Sequence, residues 1–256
     1  MTEFAITFDD VLLVPAYNHH LSRKDVDISM VDKTGRLQLD LPIFTSNMDT
    51  ITESSMAQFV SGFGGVGVLH RFLSIERNVE EFLKSPRTTF VSIGANEKEK
   101  DRFDALKQAG AERFCVDVAH GHARYVGKMV KYIRQEFPEA IIMAGNVATY
   151  AGADYLASVG ADLIKVGIGP GSACTTRIKT GFGVPQLTAI KDCSRVSRSI
   201  VADGGIRTPG DIVKALAFGA DFVMIGGMLA GTHPTPGPER DGYKIYRGMA
   251  SREVAN

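Results

Sequence analysis

One of the three cysteines in this 256-residue chain stands in surroundings suited to chemistry. Cys174 lies between Ser172 and Thr175-Thr176-Arg177, where a nearby guanidinium and backbone amides can favour the thiolate, the nucleophilic form of a thiol. Cys115 sits inside the apolar run 114–118 and reads as a small buried hydrophobe, while Cys193, after Lys191-Asp192 on a predicted helix, carries no further signal. Immediately before Cys174 the run Gly167-Ile-Gly-Pro-Gly-Ser172 can turn successive amides and carbonyls toward a phosphate or a monovalent cation. It is not a Walker motif, because no Gly-Lys-Ser/Thr follows. Two further glycine pairs, Gly204-Gly205 after Asp203 and Gly226-Gly227, end apolar runs and offer bare amides to a phosphate. The Asp203 carboxylate has the chemistry to accept two hydrogen bonds from a ribose diol; a capping or salt-bridging role is its alternative. The six histidines show no metal spacing, and His120 and His122 read as nucleotide contacts or solvated residues.

The elements that must position these residues repeat along the chain. Runs rich in Val, Ile and Phe recur at 42–48, 65–70, 89–94, 113–119, 140–146, 162–168, 199–205 and 222–228. Between them, 75–84, 97–109, 125–137, 151–159 and 209–218 carry helical periodicity and charge. The joints Ala-Gly-Ala (109–111), Val-Gly-Ala (159–161) and Phe-Gly-Ala (218–220) end helices with a glycine able to adopt the left-handed conformation. Eight apolar strands alternating with helices predict an α/β fold, a closed (β/α)8 TIM barrel, with an open doubly wound sheet as the alternative. One catalytic domain over 1–256 is expected, with 1–41 as an N-terminal cap segment and 42–256 as the barrel. In such a barrel the site lies at the strand C-termini, which are the polar, glycine-rich ends here.

Composition narrows the function classes. Lys and Arg number 29 against 29 Asp and Glu, so the chain lacks the broad basic surface that nonspecific nucleic-acid or anionic-membrane binding needs. Three scattered cysteines match neither a disulfide framework nor a structural zinc site. With acids near the N-terminus and no long apolar stretch, the chain is expected to be soluble and cytoplasmic.

Taken together the motifs resemble the IMP dehydrogenase and GMP reductase family. The matching stretches begin at Thr7 (TFDDVLLVP), Ser46 (SNMDT), Asp117 (DVAHGH), Ala144 (AGNVAT), Gly167 (GIGPGSACTTR), Ala202 (ADGGI), Met224 (MIGGMLAG) and Tyr246 (YRGMAS), in order along nearly the whole chain. The resemblance implies that Cys174 attacks C2 of a purine nucleotide to form a covalent adduct, with Thr176 assisting proton movement and a nicotinamide exchanging hydride at that carbon. Ser172, Gly204, Gly205, Gly226, Gly227 and Tyr246 would hold the 5′-phosphate, and Asp203 the ribose. Ser46, Met48 and Asn146 would line the sugar and base, and Gly248, Met249 and Ala250 the base edge. Asp117, His120 and Gly167 would face the cofactor, NADPH or NAD. Carbonyls of Gly169, Gly171 and Cys174 would match the family's potassium site, and the partners would be GMP, IMP or XMP within a homotetramer.

The family contains two reactions. IMP dehydrogenases oxidise IMP to XMP with NAD and usually carry CBS modules after the second barrel helix; GMP reductases expel ammonia from GMP and reduce the adduct with NADPH. Here residues 81–87 run directly into the third strand, which, with Asn47 and Gly227-Met228, is similar to GMP reductase. His120-Gly-His122, Ile206, the stretch Ala230-Gly-Thr232 and Pro236-Gly-Pro-Glu239 are similar to the dehydrogenase. The family continues past the Arg-Gly-Met-x-Ser segment into a flap and a last helix, whereas this sequence stops at Asn256, so binding with slow turnover is expected. A nucleotide-binding barrel without turnover is the alternative from another class. A Schiff-base aldolase or isomerase is a further one, with Lys165, inside the sixth strand, as its only lysine candidate.

Overall fold

Alternation along each apolar run sends neighbouring side chains to opposite faces, and in the computed structural model, which describes residues 5–249, both faces are covered. A short antiparallel hairpin of β1 (Met30–Val31) and β2 (Gln38–Leu39) precedes eight parallel strands. These are β3 (Ile43–Thr45), β4 (Val68–Leu69), β5 (Phe90–Ile93), β6 (Arg113–Asp117), β7 (Ile141–Val147), β8 (Leu163–Val166), β9 (Ser199–Asp203) and β10 (Phe222–Ile225). The helices between them are α1 (Ser54–Ser61), α2 (Ile75–Lys84), α3 (Glu99–Gln108), α4 (Arg124–Glu136), α5 (Tyr150–Ser158), α6 (Thr176–Thr180), α7 (Gln186–Cys193) and α8 (Pro209–Ala217).

Each strand from β4 to β10 pairs with the next in sequence, and β10 returns to β3. Between β3 and β4 the ring is completed by the bridge of Phe44 with Val66: Thr45 N donates to Val66 O at 3.1 Å, and Val66 N to Ile43 O at 3.0 Å. The fold is the (β/α)8 barrel that eight strand-helix repeats predict. Except for β7, which is seven residues long, the strands are shorter than the apolar runs, and the last residues of those runs leave the ladder to form the mouth loops.

The two faces form two cores. Val91, Ile93, Phe114, Val116, Ile142, Ile164, Val166, Ile200 and Val223 point outward and pack against the helices. Phe44, Val66, Val68, Phe90, Cys115, Met143, Leu163, Val201, Phe222 and Met224 fill the barrel, and Leu37 and Leu39 of the hairpin join them from below. Phe44 meets Phe90 and Phe222 edge-on, each ring pair 5.5 Å apart. The hairpin turn is held by Asp32, whose carboxylate accepts from the N–H groups of Thr34, Arg36 and Leu37. Residues 6–10 instead run along the outer wall, where Ile6 N donates to Thr188 Oγ1 at 2.8 Å and Lys214 Nζ to Phe8 O at 2.8 Å.

Local signals account for most helices. The capping box of Thr208 and Asp211, with Pro209 at the first position, starts α8, and Ser74 accepts from Arg77 N to start α2. The glycines at the three predicted joints, Gly110, Gly160 and Gly219, have φ of 94°, 110° and 107°. Helices α1, α6 and α7 lack such a pattern: they are only eight, five and eight residues long, too short for one periodic stripe to stand out.

Candidate active site

Period two carries the inward-facing positions of β6, β8 and β9 upward from Cys115, Leu163 and Val201 to Asp117, Lys165 and Asp203. The apolar barrel interior therefore ends, at the mouth, in two carboxylates and an ammonium. Lys165 Nζ lies 2.8 Å from Asp117 Oδ1 and 3.0 Å from Asp203 Oδ2, and Lys165 is only 3% exposed. Burial alone would push the Lys165 ammonium down, but the charges of Asp117 and Asp203 outweigh it and hold the group well above the ordinary lysine range. Burial would likewise raise Asp117; Lys165, aided by Asn47 and Arg71, outweighs it and keeps this carboxyl below its usual range. A protonated lysine between two carboxylates is not a Schiff-base nucleophile. Sequence reasoning left Asp203 a salt-bridging role as an alternative but did not name Lys165 as its partner, although a charged residue in the fully buried strand β8 has to be paired.

Asn146 Nδ2 joins the cluster, donating to Asp203 Oδ2 at 2.9 Å and to Gly167 O at 2.8 Å. Both side-chain donors to Asp203, Lys165 and Asn146, use Oδ2, and Oδ1 accepts nothing from the described residues. Behind the cluster, α7 contributes a residue that sequence reasoning missed. Gln186 is fully buried, and its Nε2 donates to Val166 O at 2.9 Å and to Asp203 O at 3.2 Å, joining the ends of β8 and β9. A polar residue after a proline carries no signal of that role. Gly167, at φ 150°, passes so close to β9 that a Cβ would overlap the Asp203 carbonyl oxygen.

From Gly167 the chain crosses the mouth to the cysteine. Cys174 N donates to Gly171 O at 3.0 Å, and the Cys174 thiol donates to Thr176 Oγ1 at 3.3 Å. Cys174 is partly exposed, whereas Cys115 and Cys193 are buried and burial pushes both thiols up to about 12. Ser172 Oγ lies 3.4 Å from Tyr246 OH, and a Cβ on Gly227 would sit 3.4 Å from the same Ser172 oxygen and 3.7 Å from the same Tyr246 oxygen. Two hydroxyls and a bare glycine backbone thus converge on one spot. Gly204 and Gly205 border Pro170 and Gly171, and Gly226 borders Ser46 and Met48. Gly248 lies against the Ala173 carbonyl. Met249 approaches the N–H of Asp49, whose carboxylate pairs with Arg247 at 2.5 Å. Ala250 lies outside the described residues.

His120 and His122 stand at the rim, both exposed, and the His122 ring packs 5.3 Å from Tyr155. A cleft of about 260 Å³ opens on the same side between the loop after β5 and the start of α4, lined by Asn96, Glu97, Lys100, Tyr125 and Lys128 among others. Among the described residues no group of three or more His, Cys, Asp and Glu side chains is placed to hold a metal ion, and no helix is long and apolar enough to cross a membrane.

Residues 5–256 match the family described as IMP dehydrogenase / GMP reductase domain. The GMP reductase of Streptococcus gordonii is 40% identical, the match covering 95% of this chain and 77% of that protein. The GMP reductase of Clostridium acetobutylicum is also 40% identical, over 97% of this chain and 79% of that protein. The crystal structure of an inosine 5′-monophosphate dehydrogenase from Legionella pneumophila superposes with a TM-score of 0.93 and 64% identity, covering 98% of this chain and 80% of that one. With the Cys174 loop, the glycine pairs and the carboxylate cluster at one barrel mouth, and a family match over nearly its whole length, this chain belongs to the IMP dehydrogenase / GMP reductase domain family.

Proposed function

We propose that the chain is a purine-nucleotide oxidoreductase acting at C2 of the base, and that its reaction is the reduction of GMP to IMP and ammonia with NADPH. The observation that carries the reaction class is the pairing of a partly exposed Cys174 with Thr176 beside a phosphate-shaped convergence of Ser172, Gly227 and Tyr246. Neutral amides and hydroxyls suit a nucleotide phosphate, and Asp203 Oδ1 suits its ribose diol. Ser46, Met48, Asn146, Gly248, Met249 and Ala250 would line the sugar and base, with Gly204, Gly205 and Gly226 completing the phosphate cradle.

The Cys174 thiolate adds to C2, forming a C–S bond. The exocyclic nitrogen then leaves as ammonia, taking a proton through Thr176. When bound, the reduced nicotinamide would supply the hydride that replaces sulfur at C2. Asp117, His120 and Gly167 would face that cofactor, and Lys100, Lys128 and Tyr125 in the neighbouring cleft offer charge and an aromatic face to the rest of it. The carbonyls of Gly169 and Cys174 accept no hydrogen bond from the described residues, which suits a hard monovalent cation such as potassium, with Gly171 as a third ligand. Exposed Leu12, Val14, Tyr17 and Leu21 along one extended segment support assembly of several copies, read here as a homotetramer.

The reductive direction rests on the uninterrupted connection 85–89 between α2 and β5 and on the relatives named GMP reductase. A second reading, oxidation of IMP to XMP with NAD, is favoured by the 64% identity to a protein named as the dehydrogenase. Following nicotinamide absorbance with GMP plus NADPH and with IMP plus NAD separates them. Consumption of NADPH with GMP alone supports the reductase; NADH formation with IMP alone overturns it in favour of the dehydrogenase.

A further inference from the structure

The barrel mouth contains a buried charge that the reaction above does not use. Lys165 lies between two carboxylates from different strands, and its backbone comes so close to β7 that a Cβ on Gly145 would sit 2.6 Å from Lys165 Cβ. The β7 residue beside it is thus reduced to a hydrogen, which leaves the lysine its track. We propose that Lys165 is a positioning residue that allows Asp117 and Asp203 to face the mouth side by side as charged acceptors, one toward the nucleotide and one toward the cofactor.

The reason is electrostatic. Both carboxylate oxygens lie within 3.0 Å of one ammonium, hence within about 6 Å of each other, a separation at which, without a counter-ion, two half-buried like charges push one of the pair toward its protonated form. The charged and titratable groups facing this point are few. Asp117 comes from β6, Asp203 from β9 and the Cys115 thiol from β6, and Arg71, after β4, acts on Asp117. Asn146, Asn47 and Ser92 are neutral. With Lys165 removed, Arg71 would still serve Asp117, while Asp203 would keep only the neutral Asn146 amide. The proton would then settle on the carboxylate meant for the ribose, and nucleotide affinity would become dependent on pH.

This inference rests on the reading of Asp203 as the nucleotide's ribose acceptor. Its test compares wild type with Lys165→Met, Asp203→Asn and the double variant Lys165→Met/Asp117→Asn, measuring GMP and IMP affinity by calorimetry from pH 6 to pH 8. Because the nucleotide phosphate itself titrates near pH 6, the quantity read is the ratio of wild-type to variant affinity at each pH. For Lys165→Met that ratio is expected to grow about tenfold from pH 8 to pH 6, one proton's worth of linkage. The double variant should recover most of the affinity at neutral pH, since one carboxylate alone has no neighbour to repel it. A ratio for Lys165→Met that is flat with pH overturns the proposal. If Lys165→Met does not fold, the double variant decides: recovery of the fold and of binding supports charge balance, and continued failure overturns it in favour of packing. If Asp203→Asn binds both nucleotides like wild type, the assignment of Asp203, and with it the proposed site, is wrong.

Discussion

The two ends of this barrel are built from the same strands and do opposite work. At the lower end Phe44 meets Phe90 and Phe222 edge-on above Leu37 and Leu39, an apolar layer with the Arg113 guanidinium at its edge, 6.0 Å from the Phe90 ring. Two residues further along β6, β8 and β9, the same inward face presents Asp117, Lys165 and Asp203. The lower layer is stable because apolar area is removed from water and packed densely. The upper layer places charges at a low-dielectric boundary, where each must be paired, as Lys165 is with Asp117 and Asp203. Substitutions below should change stability and spare chemistry, and substitutions above should do the reverse.

The largest expected effect is at the mouth. Cys174→Ala should lower turnover by about 10⁴-fold or more while nucleotide affinity stays within a few fold, because in the proposed reaction the lost group would make a bond rather than a binding contact. Steady-state rates and calorimetry on the same preparation would check it, with mass spectrometry for the missing adduct to a halopurine nucleotide. Next comes the floor. Phe222→Ala removes a fully buried ring and should cost about 3–5 kcal/mol of stability, read by denaturant unfolding, with kcat per folded molecule unchanged. A large fall in kcat there would blur the distinction between the two ends.

Gly167→Ala links them. Its Cβ would overlap the Asp203 carbonyl oxygen and force β8 and β9 apart at the mouth, so turnover should fall by about 10²-fold with a smaller stability loss. Restoring activity by substitutions at Gln186, which bonds the same two strand ends, would be inconsistent with that account. The smallest effect concerns thiol labelling. Burial raises Cys115 and Cys193 to about 12, so their thiolate fraction stays small at all pH values well below that and grows only as pH approaches it. Alkylation of the native protein between pH 7 and pH 9 should therefore modify Cys174 alone, as peptide mapping would show; equal labelling of the three would contradict it.

Much of this was legible beforehand, for identifiable reasons. The eight strands stood out because a parallel barrel strand is buried on both faces and is therefore largely apolar, as Phe222–Ile225 is throughout and Phe90–Ile93 is but for Ser92. Helix α8 was legible through its capping residues, and Cys174 through a loop composition unlike that around Cys115. Helix α1 was not, since eight residues between irregular loops carry little periodicity, and of α7 only the end at Cys193 was read as helical, without its bounds. Gln186 was invisible because its partners are backbone groups of strands distant in sequence.

By itself, the sequence determined the alternation of strands and helices, the closed parallel architecture it implies, the family motifs and the identity of the one cysteine outside the strands and helices. Those properties are local, or are summed from local patterns: propensity, periodicity, glycine where the backbone must turn. Which charges meet was decided only by tertiary structure. Asp117, Lys165 and Asp203 are separated by 48 and 38 positions and become neighbours because the barrel brings β6, β8 and β9 inward to one point. Electrostatic interaction depends on distance in space and on the dielectric around it, and neither is written in the order of residues.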